Sequence, residues 1–99
     1  MVTWSIPAKY DLKNIHDYIA MDSKYYALKV THEFVEKTEV LNEFPQNGKI
    51  VSEIDDPLIR ELSVYSYRLI YQISKGNIEI LAIIHGKQNF QGDFDEIRK

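Results

Sequence analysis

The sequence predicts an α+β fold, in which an N-terminal strand and an antiparallel helical hairpin precede a mostly antiparallel sheet of four or five strands. Two patterns in the sequence support this prediction. Apolar residues between Ala8 and Phe44 recur at spacings of three and four, the period of an amphipathic helix. After Gly48 the apolar residues alternate with polar ones, as in strands with one buried face. The hairpin is therefore expected to pack on one face of the sheet and leave the other open.

Two helices are predicted before Gly48. Pro7 suits the first position of the first helix, where its missing N–H leaves no bond unmade. The second helix is expected from about Lys24 to Phe44, with Asp22 or Ser23 as its N-cap. Because only a few residues separate the helices, they should run antiparallel. The apolar stripes are Ala8, Leu12, Ile15 and Ile19 in the first helix, and Ala27, Val30, Phe34 and Leu41 in the second.

The strands are predicted from alternation and from turn residues between them. The candidates are Val2–Trp4, Lys49–Ile54, Leu58–Val64, Tyr67–Ile73 and Ile78–His85. Ser74–Asn77 has the composition of a hairpin turn, and Ile78–His85 is apolar enough to be a central strand. The polar tail from Gly86 to Lys99 offers three candidate anchors, namely Phe90, Phe94 and Ile97.

Composition sets the class of protein. The 99 residues fit one domain spanning the whole chain, and 44% hydrophobic with 27% charged residues is ordinary for a soluble domain. The chain has no cysteine, which excludes disulfides and thiolate metal sites. The N-terminus has no long apolar run, so we expect neither a signal peptide nor a membrane span, and the cytoplasm is the default location.

The charge balance favours a protein partner over nucleic acid. The net charge is −3, whereas proteins held by phosphate contacts are usually basic. His16 and His32 lie in separate predicted helices, so no histidine cluster has metal-ligand spacing. A glycine-rich phosphate loop is also missing from the sequence. We therefore expect no metal and no other cofactor.

The hairpin register decides which face of the sheet carries Arg68. A turn centred on residues 65 and 66 places Leu62 opposite Leu69 and turns Arg68 away from the helices. Glu61 is then a diagonal neighbour within reach of Arg68. An arginine on the solvent face of a sheet usually serves solubility or forms a surface ion pair, and such a pair contributes less than about 1 kcal/mol to stability. We therefore expect Arg68 to be exposed and Arg68→Ala to leave folding nearly intact.

The same register places Arg60 opposite Tyr71, among apolar residues. It is expected at the margin of the sheet or beside a carboxylate. Because a shift of one residue in the turn would move Arg60 to the other face, its facing stays open.

Six segments, in order along nearly the whole chain, resemble the ParE/RelE superfamily, the toxins of bacterial type II toxin–antitoxin modules, often called plasmid stabilisation proteins. They are Trp4, AKYDLKNIHDYIA (8–20), FPQNGKIVSE (44–53), IREL (59–62), YRLIYQI (67–73) and IIHGKQ (83–88). The specificity lies in their order and spacing, since no single segment is diagnostic. The resemblance implies a RelE/ParE-like fold.

The resemblance implies one of two activities. RelE-like toxins are ribosome-dependent endoribonucleases that cut mRNA, whereas ParE-like toxins bind and inhibit DNA gyrase and cause growth arrest. Arg60 and Glu61 stand where a RelE-type toxin has a lysine pair, and Gln88 stands where it has an arginine. Phe94 lies near the position of its usual tyrosine. The sequence is therefore closer to the ParE branch, a gyrase inhibitor rather than an enzyme, with the ribonuclease as the alternative.

The resemblance also assigns candidate site residues. For target binding they are Arg60, Glu61, Arg68, His85, Lys87 and Gln88. A gyrase inhibitor needs no catalytic residue. In a ribonuclease, Arg68 and Lys87 would supply positive charge to the developing phosphorane, and His85 would transfer protons. We expect His85 to have a structural role, hydrogen-bonded to the backbone at the end of a strand, rather than a catalytic one.

The partners implied are an antitoxin and DNA gyrase, or an antitoxin with the ribosome and mRNA under the alternative. The antitoxin's disordered tail would fold over the open sheet face or the helical hairpin, with strand addition at a sheet edge as one mode. Operator DNA would be bound only through the antitoxin. A homodimer, a hetero-oligomer with the antitoxin, and a degenerate toxin that only binds its antitoxin all stay open.

Overall fold

The structure is a computed structural model that describes residues 1–97, and it confirms the predicted α+β fold. Its elements are β1 (Val2–Trp4), α1 (Ile6–Ala20), α2 (Lys24–Glu39), a 3-10 turn (Val40–Asn42), β2 (Lys49–Ile50), β3 (Ile59–Val64), β4 (Tyr67–Ser74), β5 (Asn77–His85) and α3 (Gln91–Ile97). No helix within residues 1–97 combines the length and apolar character needed to cross a membrane.

Both long helices begin at a serine that caps them. Ser5 Oγ accepts from the N–H of Ala8 at 3.1 Å, and Ser23 Oγ accepts from the N–H of Tyr26 at 3.1 Å. Each bond satisfies one of the free N–H groups at a helix start. Of the two N-cap candidates, Asp22 and Ser23, it is Ser23 that caps the helix. The turn between the two helices is as short as expected.

Five strands form one sheet in the order β1-β5-β4-β3-β2, with β1 parallel to β5 and all other pairs antiparallel. The predicted register is confirmed, since Leu62 pairs with Leu69 and Arg60 with Tyr71. The predicted strand over 49–54 shrinks to two residues. The chain leaves the sheet after Val51, because the N–H groups of Ile54 and Asp55 both turn back to the carbonyl of Val51.

The helical hairpin covers one face of the sheet, as predicted. The core on this side contains Ala8, Val30, Phe34, Leu41, Val64, Leu69, Tyr71, Ile78, Ile80 and Ile83. The phenyl ring of Phe34 meets the ring of Tyr67 edge to face, with centroids 5.9 Å apart. This contact ties the middle of α2 to the start of β4.

The opposite face of the sheet is largely covered, and the expectation of an open face is wrong for the part that carries apolar residues. A second apolar cluster lies there, made of Val51, Ile59, Ile70, Leu81, Ala82, Ile84, Phe90 and Phe94. Phe90 and Phe94 extend from the segment around α3, while Val51 comes from the loop after β2. The side chain of Ile97, the third candidate anchor, lies outside the described part of the chain. Covering this face removes apolar strand residues from water, which favours the closed arrangement.

A β-bulge explains why β5 is apolar on both faces. The pairing of β4 with β5 shifts between Ile70 and Tyr71, which oppose Ala82 and Ile80 and leave Leu81 as the extra residue. Leu81 and Ala82 therefore both belong to the second cluster, although strict alternation would separate them.

The phenol of Tyr71 holds the chain reversal between α2 and β2. It is fully buried, donates to the carbonyl of Pro45 at 2.7 Å and accepts from the N–H of Gly48 at 2.9 Å. Gly48 has no room for a side chain, because an added Cβ would lie 2.5 Å from the Glu61 carbonyl oxygen and 2.7 Å from the Tyr71 hydroxyl. The close approach of this turn to β3 and β4 therefore needs both residues.

We predict that Tyr71→Phe lowers the free energy of unfolding by about 1–3 kcal/mol, because a buried N–H and a buried carbonyl lose their partner. Urea unfolding measures this loss. Tyr10→Phe is the matched control, since the Tyr10 side chain is 64% exposed and its change should leave the unfolding midpoint in place. Equal midpoints for the two variants would contradict the role assigned to Tyr71.

Candidate functional site

Most of the predicted target-binding residues gather around one open cleft, which we call the polar cleft. It has a volume of about 570 Å³ and lies between the turn that joins β3 to β4 and the loop over residues 86–89. Glu61, Arg68, Lys87 and Gln88 all line it. The other charged residues that line the cleft are Lys49 and Glu53, and Glu53 comes from the loop after β2.

Arg68 forms the floor of the polar cleft and uses all of its donors inside the protein. Its Nε donates to Glu61 Oε2 at 3.0 Å, and its Nη2 donates to the same oxygen and to Glu53 Oε1 at 2.9 Å. Its Nη1 donates to Glu53 Oε2 at 2.8 Å and to the carbonyl of Gln88 at 2.9 Å. A guanidinium carries five N–H groups, and these are five hydrogen bonds. No donor is left for a bound phosphate.

The expectation that Arg68 is an exposed surface residue is wrong. Arg68 is 9% exposed and Glu61 is 6% exposed. The predicted face and the diagonal contact with Glu61 are both confirmed, but the loop that carries Glu53 and the backbone at Gln88 cover the guanidinium. Arg68 is therefore a buried structural charge, and the prediction that Arg68→Ala leaves folding nearly intact must be reversed.

The hydrogen bonds keep this network ionised. Those to Glu53 and then to Glu61 raise the pKa of Arg68 above its ordinary value, although burial opposes the rise. The bond from Arg68 lowers the pKa of Glu53 from 4.5 to about 2, helped by the N–H of Phe90, which donates to Glu53 Oε2 at 3.0 Å. Arg68 and Glu53 therefore keep their charges at neutral pH.

The network also fastens the end of the chain to the sheet. The carbonyl of Gln88 accepts from Arg68, and the N–H of Phe90 donates to Glu53. These two bonds bracket the entry to α3, and the buried rings of Phe90 and Phe94 follow directly, 5.8 Å apart. The charged cluster thus positions the apolar cover of the second sheet face.

Arg60 lies apart from the polar cleft. Its Nε donates to the carbonyl of Pro57 at 2.9 Å, and its Nη1 donates to the carbonyl of Gly48 at 3.0 Å. It sits on β3 beside the two-residue strand β2, at the margin of the sheet as expected. Both of these bonds go to backbone carbonyls, which gives Arg60 a role in holding the turns around β2.

His85 and Lys87 differ in their surroundings. His85 lines a second cleft of about 430 Å³ between α1 and the end of β5, and its ring lies 5.2 Å from the ring of Tyr67. The carbonyl of His85 accepts from the N–H of Gln88 at 3.0 Å. Lys87 is exposed at the rim of the polar cleft. The structure therefore does not bring Arg68, His85 and Lys87 together around one free position.

Glu53 is the residue that the sequence prediction missed. It lies fifteen positions before Arg68, in a loop, and its charge is unremarkable in a chain rich in acidic residues. Its only local signal is its place at the end of the FPQNGKIVSE segment. Among residues 1–97, no cluster of three or more His, Cys, Asp or Glu side chains is suited to a metal ion.

Comparison with solved structures defines the class of fold. A chain described as "Chromosomal ParDE TA system from P. aeruginosa" is similar with a TM-score of 0.70 and 24% identity, over 85% of this chain and 92% of that one. At this identity the similarity establishes a ParE-like α+β fold. No curated protein sequence matches the chain significantly.

A family model then gives the family. The model described as "ParE toxin of type II toxin-antitoxin system, parDE" matches residues 2–90, and the chain belongs to that family. Membership of a toxin–antitoxin family implies an antitoxin as partner. The match ends at Phe90, so α3 follows the part of the chain that the family shares.

We predict that Arg68→Met destabilises the protein by about 3–5 kcal/mol, because it leaves the buried carboxylate of Glu61 and the partly buried carboxylate of Glu53 without their cation. Thermal and urea unfolding measure the loss. Lys13→Met is the control: Lys13 pairs with Asp17 at 2.7 Å on the surface, where water and salt screen the pair and its loss should leave stability nearly unchanged. An Arg68→Met protein as stable as the control would restore the surface role first expected for Arg68.

Acid should lower the stability of the folded protein, because Glu53 becomes protonated. The folded-state pKa of Glu53 lies below its ordinary value, so its stabilising effect is fully present above pH 4.5 and is lost as the pH falls toward 2. We therefore expect the difference in melting temperature between wild type and Glu53→Gln to be largest above pH 4.5 and to shrink below it. Glu43→Gln, at an exposed position, should follow wild type throughout. A difference that does not depend on pH would contradict the paired, ionised state of Glu53.

Proposed function

We propose that this protein is a toxin that acts by binding DNA gyrase and inhibiting it. Membership of the ParE family supports the toxin role, and the chemistry of the polar cleft supports binding over catalysis. In this proposal Glu61 and Arg68 shape the cleft, while Lys87 and Gln88 at its rim contact the target. Its consequence in the cell is arrested replication, relieved when the antitoxin covers the toxin.

One observation carries the preference for binding: the guanidinium of Arg68 is saturated by the two carboxylates and one carbonyl that surround it. A ribonuclease needs cations that are free to stabilise the charge that develops on phosphorus. Here the best-placed cation is neutralised internally and 9% exposed. The carboxylates of Glu53 and Glu61 beside it would repel an RNA phosphate.

The ribonuclease alternative also lacks a convergent acid and base. His85 lines the second cleft and packs against Tyr67, whereas Lys87 stands at the rim of the polar cleft. A general base must reach the proton it removes, directly or through one water. The separation of these residues therefore favours the gyrase proposal.

We propose the outer surface of the helical hairpin as the antitoxin site. Phe90 and Phe94 cover the apolar part of the sheet face opposite the hairpin, which is the other candidate for this role. Strand addition along the outer edge of β5 is disfavoured, because Ser5 Oγ already donates to the carbonyl of Leu81 and Asp11 already accepts from the N–H of Ile83. The hairpin instead exposes large apolar side chains, including Tyr25 and Leu28, which an amphipathic segment can cover.

Purified protein should inhibit supercoiling by purified gyrase and leave mRNA intact in a translating extract. The rim contact is tested with Lys87→Glu, which should weaken inhibition up to about fivefold, as expected for losing one exposed charge contact. Lys24→Glu, at the exposed start of α2, carries the same charge change away from the cleft and should inhibit like wild type.

Codon-positioned cuts in mRNA together with unaffected supercoiling would overturn the gyrase proposal in favour of the ribonuclease. Absence of growth arrest when the protein is expressed would point to a degenerate toxin. Equal loss of inhibition in Lys87→Glu and Lys24→Glu would show that total charge, and not the rim of the polar cleft, governs binding.

A further inference from the structure

The carboxylate of Glu61 presents two oxygens with very different surroundings. Its side chain is 6% exposed, and Oε2 accepts two hydrogen bonds from Arg68. Oε1 accepts no hydrogen bond from the described part of the chain, and the Nζ of Lys49 lies 3.7 Å from it. An ionised carboxylate has about four acceptor positions. Oε1 is open to the cleft and is not sealed from water. A cationic donor that reaches it forms a charge-assisted hydrogen bond with a carboxylate that is otherwise largely withdrawn from solvent.

Lys49 already marks this position as one for a cation. Its side chain is 77% exposed, and it belongs to the two-residue strand β2. A pair with one partner this exposed holds the lysine only weakly, with less than about 1 kcal/mol. Lys49 can therefore swing into solvent at little cost when another cation approaches Glu61.

The charge of the cleft floor favours a cation over an anion. Two carboxylates, Glu53 and Glu61, surround one guanidinium, Arg68, so the ionised floor carries one net negative charge. The cationic side chains of Lys49 and Lys87 are exposed and belong to the rim. An anion that enters as far as Oε1 meets a like charge at close range, whereas a cation meets its complement.

We propose that the polar cleft is a binding site for an arginine side chain of a protein partner, anchored on Glu61 Oε1, and that Lys49 occupies this anchor in the free protein. Arginine suits the site better than lysine, because its planar fork is weakly hydrated and can donate to Oε1 and to a cleft-lining hydroxyl such as Ser63 at once. The inference rests on the proposed protein-binding role of the cleft only for the identity of the partner.

The test is an NMR titration of the full-length protein with N-acetyl-L-argininamide, and separately with inorganic phosphate. Argininamide should shift the amide signals of residues 49, 61 and 63, and phosphate should leave them in place. Lys49→Met should tighten argininamide binding about two- to fivefold, since the competing cation is worth up to about that factor. Lys37→Met, on the exposed surface of α2, is the control and should bind like wild type.

Lys49→Met is the decisive variant, because Glu61→Gln also disturbs the bonds that Glu61 Oε2 accepts from Arg68. Shifts with phosphate but not with argininamide would overturn the proposal, as would unchanged or weaker argininamide binding in Lys49→Met. The titration contains no gyrase, so it is independent of the proposed target. Argininamide binding by a protein that does not inhibit gyrase would overturn the target and keep the site.

Discussion

The contact between Arg68 and the two carboxylates of Glu53 and Glu61 is the interaction on which the rest of this structure depends. It joins β3, β4 and the loop after β2, and through the backbone of residues 88 and 90 it reaches α3. Each ion alone would be too costly to bury, but the guanidinium donates to both carboxylates with geometry that few other side chains can match. The apolar cover formed by Phe90 and Phe94 therefore lies on the sheet only where this network directs it.

This constraint separates two roles that an arginine on a strand suggests equally well. A free guanidinium on a sheet face binds phosphate, whereas one with five internal partners shapes the surface around it. Because all donors of Arg68 are used inside the protein, the cations that remain available to a ligand lie at the rim of the cleft, where Lys49 and Lys87 are exposed. A rim of exposed lysines around a floor of net negative charge suits recognition of a protein surface better than catalysis.

The sequence predicted what depends on period and turn chemistry. The helical stripes, the serine cap at Ser23 and the register that pairs Leu62 with Leu69 all follow from local spacing, and the structure confirms them. It did not predict the partners of Arg68 beyond Glu61, because Glu53 meets it only through a loop whose path no local pattern encodes. The cover by Phe90 and Phe94 was missed for a similar reason: two aromatic residues in a polar tail indicate an anchor, but not the surface they anchor to.

Glu61 belongs both to the structural network and to the proposed arginine site, and this sharing limits how the two can be separated. Its Oε2 supports Arg68 while its Oε1 faces the cleft, so any substitution of Glu61 alters the fold and the ligand site together. Lys49 touches only the outer oxygen and is itself exposed. A change at Lys49 therefore alters the competition for Oε1 and leaves the bonds among Arg68, Glu53 and Glu61 in place. Substitution of Lys49, rather than of Glu61, can therefore separate an effect on ligand binding from an effect on the stability of the fold.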